Sequence, residues 1–417
     1  MKGATIRDAQ WLADAGLQTL LAALSADGEE ARIAGGAVRN TLLAQPVTDI
    51  DLATTNLPEA TVARAAAAGF KTVPTGIEHG TVTVIAGGKP YEVTTLRSDI
   101  ETDGRRARVS FGRDWKRDAE RRDFTINALY AAADGDVTDL VGGLADLETR
   151  TLRFIGDAEQ RIREDYLRIL RFFRFFAWYG SGRPDAEGIK ACARLKEGLD
   201  VLSAERVWAE LRKLLAAPDP SRALLWMRQT GVLTRVLPET EKWGIDAIPG
   251  LVASESALGL KSDPLLRLEA IVPPDAARLA ALAERLRLSG AEAERLRQWA
   301  LSPVPDAGVS EAEMARIAYR GKPGGIADRL RLAHASADAK SDPAALQRYA
   351  RLLAFLKRWR KPEMPVTGND LLAAGMMPGK GLGTILKRVE DEWVDSNFSL
   401  SRDALLKRAA ELVASKG

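Results

Sequence analysis

One change of pattern, near Asp157, constrains this chain more than anything else in it. Upstream, short runs alternate apolar and polar residues and are rich in β-branched side chains. Thr81-Val-Thr-Val-Ile-Ala and Tyr91-Glu-Val-Thr-Thr-Leu-Arg are two of them, and Gly87-Gly88 between them signals a hairpin turn. Downstream, Leu, Ala, Arg and Glu recur at helical spacing to the end of the chain, with few strand candidates. The two periods, 2.0 and 3.6, place side chains on incompatible faces. The fold class expected is therefore α+β, a head with a small mixed β-sheet followed by an all-helical remainder. Within the head, Ala9 to Leu24 reads as amphipathic, Ala31 to Gly36 as a strand entering a glycine turn, and Val47 to Ala53 as a second strand. Arg97 to Arg122, crowded with charge of both signs, reads as a long mobile loop. Breaks near Gly180–Pro184, Pro218–Pro220, Pro273-Pro274, Ser302–Pro305 and Lys361–Pro365 divide the helical part into successive subdomains, without the fixed period of a solenoid.

The 417 residues allow two to four domains at roughly 100–200 residues each. An apolar share of 46% and a charged share of 28% are those of a globular protein and exclude disorder as a description of the whole. The single cysteine, Cys192, excludes an intrachain disulfide and a cysteine-built zinc site. Two histidines, His79 and His334, leave little room for a histidine-rich metal centre, and both read as structural. No run approaches about 18 apolar residues, and the N-terminus lacks the apolar core of a signal peptide. The expected compartment is a reducing cytoplasm, with no membrane and no disulfide partner. A net charge of +3 by itself announces no nucleic-acid binder.

Asp49-Ile50-Asp51 falls in the second expected strand, where period-two geometry puts both carboxylates on one face and Ile50 toward the core. Paired carboxylates repel one another and favour a bound divalent cation, although an isolated pair is also what a solvated strand end looks like. Just upstream, Gly35-Gly36-Ala-Val-Arg39-Asn40 connects a strand to a helix expected to start at Thr41-Leu-Leu. Backbone N–H groups at such a turn face an anion, and Arg39 adds a charge-assisted contact. A phosphate cradle beside a metal site suits nucleotide chemistry. Glu92, on the second hairpin strand, is either a third carboxylate within reach or an exposed Glu paired with a cation. In Arg121-Arg122-Asp123-Phe-Thr-Ile-Asn127, a helix would place Asp123 and Asn127 on one face, and helix capping by Asp123 is the alternative.

The densest constellation runs from Arg161 to Ala177. Read as one helix at 100° per residue, it collects Leu167, Ile169, Leu170, Phe173 and Phe176 on one arc. Arg168, Arg171 and Arg174 step along the other side, with Asp165 one turn earlier. Amphipathicity explains the apolar arc but not three arginines with few carboxylates nearby in sequence. Such a stripe can neutralise a triphosphate, leaving Asp165 and Arg168 to meet a base edge.

Taken together, GGAVRN…DID, YEVTTLR, RRDFTINAL and EDYLRILRFFRF resemble, in order and separation, the class II CCA-adding tRNA nucleotidyltransferases and the related bacterial poly(A) polymerases. The likeness runs over residues 30–215, and a weaker one reaches the tail near Thr367–Leu406. Asn40 departs from it, standing where the family usually has Asp. The resemblance implies a nucleotidyltransferase head at 1–140, a helical neck recognising the base at 141–215, a helical body at 216–305 and a helical tail binding tRNA at 306–417. It implies Asp49, Asp51 and Glu92 as catalytic carboxylates, the first two holding Mg²⁺, with Gly35, Gly36 and Arg39 on the phosphates. Arg122, Asp165, Arg168, Arg171 and Arg174 would contact the incoming nucleotide, and Asp123 and Asn127 would read the ribose. CTP and ATP are the implied substrates, and the acceptor arm of tRNA the implied partner.

Related activities remain to be separated: complete CCA addition, poly(A) synthesis on general RNA, addition of CC or A alone, and a catalytically silent RNA-binding protein. The intact acidic pair and arginine stripe speak against the last. Ile77-Glu-His-Gly-Thr-Val-Thr-Val84 resembles the CCA-adding form, and Asp103-Gly-Arg-Arg106 resembles the flexible-loop element of enzymes that add A as well as C. The histidine shortage excludes the His-Asp phosphohydrolase domain that some relatives carry. Lys190, Lys196, Arg206, Arg212 and Lys213 are candidates for an RNA-facing surface, or simply a solvated face.

Overall fold

The structure, a computed structural model, describes residues 3–103, 106–241 and 243–414. The chain divides into two compact units, Met1–Pro238 and Glu239–Gly417. The boundaries expected at 140 and 215 fall within the first unit and that at 305 within the second.

The first unit opens with a short 3₁₀ turn and helix α1 (Ala15–Leu24), separated by Asp14, whose side chain accepts from the Leu17 N–H and starts the helix. Strand β1 (Ala31–Ala34) runs into helix α2 (Gly36–Leu42), so the helix begins at the second glycine and ends where it was expected to start. Strand β2 (Asp51–Thr54) is shorter than expected. Asp49 and Ile50 precede it in irregular backbone, and Ile50 is only half-buried. Helix α3 (Pro58–Ala67), strand β3 (Lys71–Gly76), β4 (Thr81–Ala86) and β5 (Lys89–Thr95) follow. Gly87 and Gly88 both have positive φ, 58° and 78°, as the tight β4–β5 hairpin requires.

Arg97 to Arg122 is not a loop. It forms strands β6 (Arg97–Asp103) and β7 (Arg106–Phe111), paired antiparallel as a separate ribbon, and helix α4 (Trp115–Glu120). Phe111 and Trp115 supply apolar positions among the charges, and Asp114 caps the helix by accepting from the Lys116 and Arg117 N–H groups. Gly104 and Arg105, half of the flexible-loop element, lie outside the described residues.

Strands β8 (Leu129–Ala131) and β9 (Val137–Asp139) complete a seven-stranded mixed sheet of order β3-β4-β5-β2-β1-β8-β9, in which only β2 and β5 pair in parallel. Helices α5 (Gly143–Glu148), α6 (Ala158–Glu164), α7 (Leu167–Tyr179), α8 (Ala186–Arg194), α9 (Ala204–Leu215), α10 (Ser221–Gln229) and α11 (Val232–Val236) finish the unit. Helix α7 buries Ile169, Leu170, Phe172, Phe173, Phe175 and Phe176, wider than the arc expected, and Phe172 stacks on Phe154 with ring centroids 5.3 Å apart.

The second unit contains, among its described residues, helices α12 (Ala247–Ala257), α13 (Pro264–Ile271), α14 (Ala276–Arg285), α15 (Gly290–Leu301), α16 (Glu311–Arg320), α17 (Pro323–Ala339), α18 (Pro343–Arg358), α19 (Gly368–Ala373), α20 (Lys380–Asp395) and α21 (Arg402–Ala414) and no strand. His334 is buried on α17, its Nδ1 2.6 Å from Ser254 Oγ. No described helix is long and apolar enough to cross a membrane.

Candidate active site

The site is organised around the β1–α2 turn. Gly35 has φ +62°, and a Cβ there would lie 3.1 Å from the Asn127 carbonyl oxygen and 3.3 Å from Arg122 Nη1, so glycine lets the turn close onto its neighbours. Gly36 begins α2 beside it. Arg39, one turn on, is 6% exposed. Its guanidinium donates to Asn40 Oδ1 at 2.9 and 3.1 Å, to the Tyr179 hydroxyl at 2.8 Å and to Asn127 Oδ1, and lies 4.0 Å from the Tyr179 ring centroid. These partners are neutral, and burial pulls the guanidinium below its ordinary pKa.

The carboxylates stand at the next edge. Asp51 starts β2 and pairs in register with Glu92 on β5, and residues in register on adjacent strands project to the same face. Burial, then Glu92 and Asp49, push the Asp51 carboxyl above the usual range, against the pull of Arg122. Glu92 is exposed on the strand. Asp49 accepts from Thr48 Oγ1 at 3.0 Å. Among the described residues no group of three carboxylate, imidazole or thiol side chains could enclose a metal ion. An open pair of aspartates whose repulsion Arg122 only partly relieves fits Mg²⁺, which keeps several waters and takes one or two carboxylates together with substrate phosphates.

Arginines form the opposite wall, and all three from the α7 stripe have a carboxylate partner, contrary to the sequence expectation. Arg168 meets Glu164 at 2.5 Å, Arg171 meets Asp123 at 2.5 Å, and Arg174 meets Glu210 on α9 at 2.5 Å. Burial lowers the Arg174 pKa despite Glu210, whereas Asp123 and Glu210 outweigh burial at Arg171 and raise it. Asp123 and Asn127 are not on an α-helix. Phe124 is extended and Thr125–Asn127 is a single 3₁₀ turn, yet the pair still meets, Asn127 Nδ2 donating to Asp123 Oδ1 at 3.0 Å. Although burial opposes it, Arg171 and the hydrogen bond from Asn127 hold the Asp123 carboxyl below its ordinary value.

The run from Arg161 is two helices, not one. It breaks at Asp165 (φ −156°) and Tyr166, between α6 and α7. The break turns Asp165 toward the cavity, where Oδ1 accepts from the Leu167 N–H at 3.1 Å and Oδ2 from Arg206 at 2.6 Å. Arg206 is therefore a site residue, not a surface one. Lys190 and Lys196 pair with Glu187 and Glu197, and Arg212 and Lys213 lie along the same helix as Arg206.

A cavity of about 520 Å³ results, lined by Gly35, Gly36, Asp51, Asp123, Asn127, Asp165 and Phe175 together with Arg39, Arg121, Arg122, Arg168, Arg171, Arg174 and Arg206. Seven arginines line it against three aspartates. Asp118, Glu164 and Glu210 behind the wall offset part of that surplus, and among the described residues Arg39, whose partners are neutral, is the cation left for a polyanion. Asp49 and Glu92 are not part of that lining, though Asp51 registers the charge of both. Sequence reasoning missed Glu210, Arg206, Tyr179, Phe175 and Asp118. Asp118, 1% exposed on α4, accepts from Arg121 at 2.6 Å, Arg122 at 3.1 Å and the Tyr130 hydroxyl at 2.7 Å. The available signal was a carboxylate at i−3 and i−4 to the Arg121-Arg122 pair.

A carboxylate edge opposite an arginine-lined cavity defines the class, an enzyme handling nucleoside triphosphates on a nucleotidyltransferase head. Residues 31–153 match the family described as "Poly A polymerase head domain", and residues 184–243 that described as "Probable RNA and SrmB- binding site of polymerase A". The chain is 33% identical over 94% of its length to the mitochondrial CCA tRNA nucleotidyltransferase 1 of Mus musculus, covering 89% of that protein. It is 34% identical over 91% of its length to the CCA-adding enzyme of Streptococcus pneumoniae, covering 92% of it. The Bacillus stearothermophilus CCA-adding enzyme, solved with CTP, superposes with a TM-score of 0.72 at 25% identity, over 96% of this chain and 98% of that one. This chain belongs to the family of CCA-adding tRNA nucleotidyltransferases.

Proposed function

We propose that this enzyme adds C, C and A to tRNA 3′ ends from CTP and ATP, without a nucleic-acid template. The observation that carries the reading is the cavity itself, in which Asp51 faces a surplus of arginines beside Asp165. The names of the relatives agree with it, and one solved neighbour, the Thermotoga maritima CCA-adding enzyme, is complexed with tRNA.

Asp49 and Asp51 would hold Mg²⁺, with Glu92 opposite Asp51 on the adjoining strand. A metal held there would supply the charge that lowers the pKa of the attacking 3′-hydroxyl and offsets the leaving pyrophosphate. Arg39, Arg171 and Arg174 receive the phosphates, and the backbone at Gly35 and Gly36 lets them approach closely. Arg122, fixed by Asp118, reaches the Gly35 turn and draws on the Asp51 charge. Asp123 and Asn127 meet the ribose. Asp165, with lone pairs left after Leu167 and Arg206, accepts from the exocyclic amine shared by cytosine and adenine, and Arg168 donates to the neighbouring ring nitrogen. Uracil and guanine present a carbonyl where the amine belongs and leave buried polar groups mismatched. We assign the activity to a reducing cytoplasm, in keeping with a single, buried cysteine.

The test incubates the protein and Mg²⁺ with tRNA ending at the discriminator base. CTP alone should add two residues, ATP alone few, and both together a defined three-residue end. Long adenosine tails on unstructured RNA would replace this reading with poly(A) synthesis.

A further inference from the structure

Phe175 sits at the centre of the arginine wall without a role in the chemistry above. It is 6% exposed, it lines the cavity, and its ring centroid lies 4.2 Å from the Arg174 guanidinium carbon and 5.3 Å from those of Arg39 and Arg171. Behind it the ring packs on Phe124, with centroids 5.4 Å apart. Three buried or half-buried guanidiniums so arranged repel one another, yet among the described residues only two carboxylates pair with them directly. Asp123 pairs with Arg171 and Glu210 with Arg174, while the partners of Arg39 are neutral oxygens.

The electron-rich face of an aromatic ring attracts a guanidinium without cancelling its charge. A third carboxylate in that place would steady the arginines and also neutralise the site that a triphosphate must enter. We propose that Phe175 is a positioning residue of the triphosphate site, its ring holding Arg39, Arg171 and Arg174 as one fan of cations without cancelling the excess charge that their two carboxylates leave. The inference rests on the nucleotide-binding reading above and deepens it by assigning the phosphate-binding end of the cavity a determinant that carries no charge.

The test measures equilibrium binding of CTP and of inorganic tripolyphosphate to the full chain carrying Phe175→Leu or Phe175→Tyr, with thermal unfolding recorded for each. Loss of the ring should weaken both ligands by the same factor, about five- to thirty-fold. It should raise KM for CTP with kcat within about twofold of wild type, and Phe175→Tyr should restore both. Should the Leu variant fail to fold, Phe175→Met carries the same comparison. Leu or Met variants that bind tripolyphosphate within twofold of wild type overturn the proposal, as does a folded Tyr variant that fails to rescue. Wild-type protein that binds neither ligand overturns the nucleotide-site reading itself, a result distinct from equal binding by wild type and variant.

Discussion

Arg206 fixes the direction of the Asp165 carboxylate, the group proposed to read the base, through the 2.6 Å contact to Oδ2. If a carboxylate oxygen must be aimed at an exocyclic amine, removing the aiming group should act like removing the carboxylate. Asp165→Ala is expected to lower discrimination against UTP and GTP by about tenfold or more, the scale of one good base-edge contact. Arg206→Ala should follow in the same direction to a smaller extent. Single-nucleotide incorporation with each of the four triphosphates measures both, and unchanged selectivity in Asp165→Ala removes the template role. Asp165 was legible as a candidate from its place one turn before the arginine stripe, and the family resemblance pointed at it too. Arg206 was not, since the 41 residues separating the pair conceal a contact that exists only once α9 packs against α7.

Between elements, the break at Asp165–Tyr166 does what a continuous helix could not, and a glycine far along the chain guards it. A Cβ on Gly198, in the 3₁₀ segment Lys196–Val201, would lie 2.0 Å from the Tyr166 ring. Gly198→Ala must therefore displace the ring next to Asp165. We expect a loss of stability of about 1–3 kcal/mol, the usual cost of overpacking, and relaxed selectivity like that of Asp165→Ala. Thermal unfolding and the incorporation assay report the two effects, and a variant matching wild type in both would show that the ring has room to give.

A second joint is Asp118, which ties α4 to the Tyr130 hydroxyl on β8 and to Arg121 and Arg122. Burial raises its carboxyl, but Arg122 and Arg121 hold it below the ordinary value of 3.8. Its contribution to stability is thus complete above about pH 4 and is lost as pH falls through the lower folded value. Asp118→Ala should cost the first unit about 3–5 kcal/mol at neutral pH, since it strands two arginines and a tyrosine. It should also shift acid unfolding to higher pH, followed by circular dichroism. An unchanged acid midpoint would count against the joint. The difference between β4–β5, which was read correctly, and Arg97–Arg122, which was not, lies in the residues. Val82, Val84, Tyr91 and Val93 alternate against a buried face, whereas the β6–β7 ribbon stands outside the main sheet and leaves charge as the dominant signal.

Across the molecule the two units differ in how buried charge is settled. In the first unit the buried aspartates Asp118 and Asp123 are held charged by arginines. In the second, Glu269 on α13 is 1% exposed and neither carboxyl oxygen has a hydrogen-bond partner among the described residues. The charged groups around it are Asp263, Arg295 on α15, and Asp328 and Arg329 on α17, with Arg267 and Glu255 paired to one another nearby. Arg295 is taken by Asp263 at 2.6 Å and Asp328 at 2.9 Å. Arg329 is taken by the carbonyls of Trp299, Ala300 and Ser302 at the end of α15. Burial, and then Asp328, raise the Glu269 carboxyl well above its ordinary 4.5, so folding favours its protonated form. The sign is the reverse of that at Asp118. The stability Glu269 supports is complete below about pH 4.5 and declines as pH rises toward the folded value, because the unfolded chain ionises first. Glu269→Gln, neutral at every pH, should match wild type near pH 4.5 and exceed it increasingly above that, by about 1.4 kcal/mol per pH unit up to the folded value. Melting of the second unit, followed in both proteins across that range, decides the matter. Parallel curves would mean that Glu269 finds a partner on folding, whereas a gap that widens with pH would mark it as the acid on which this unit's pH response depends.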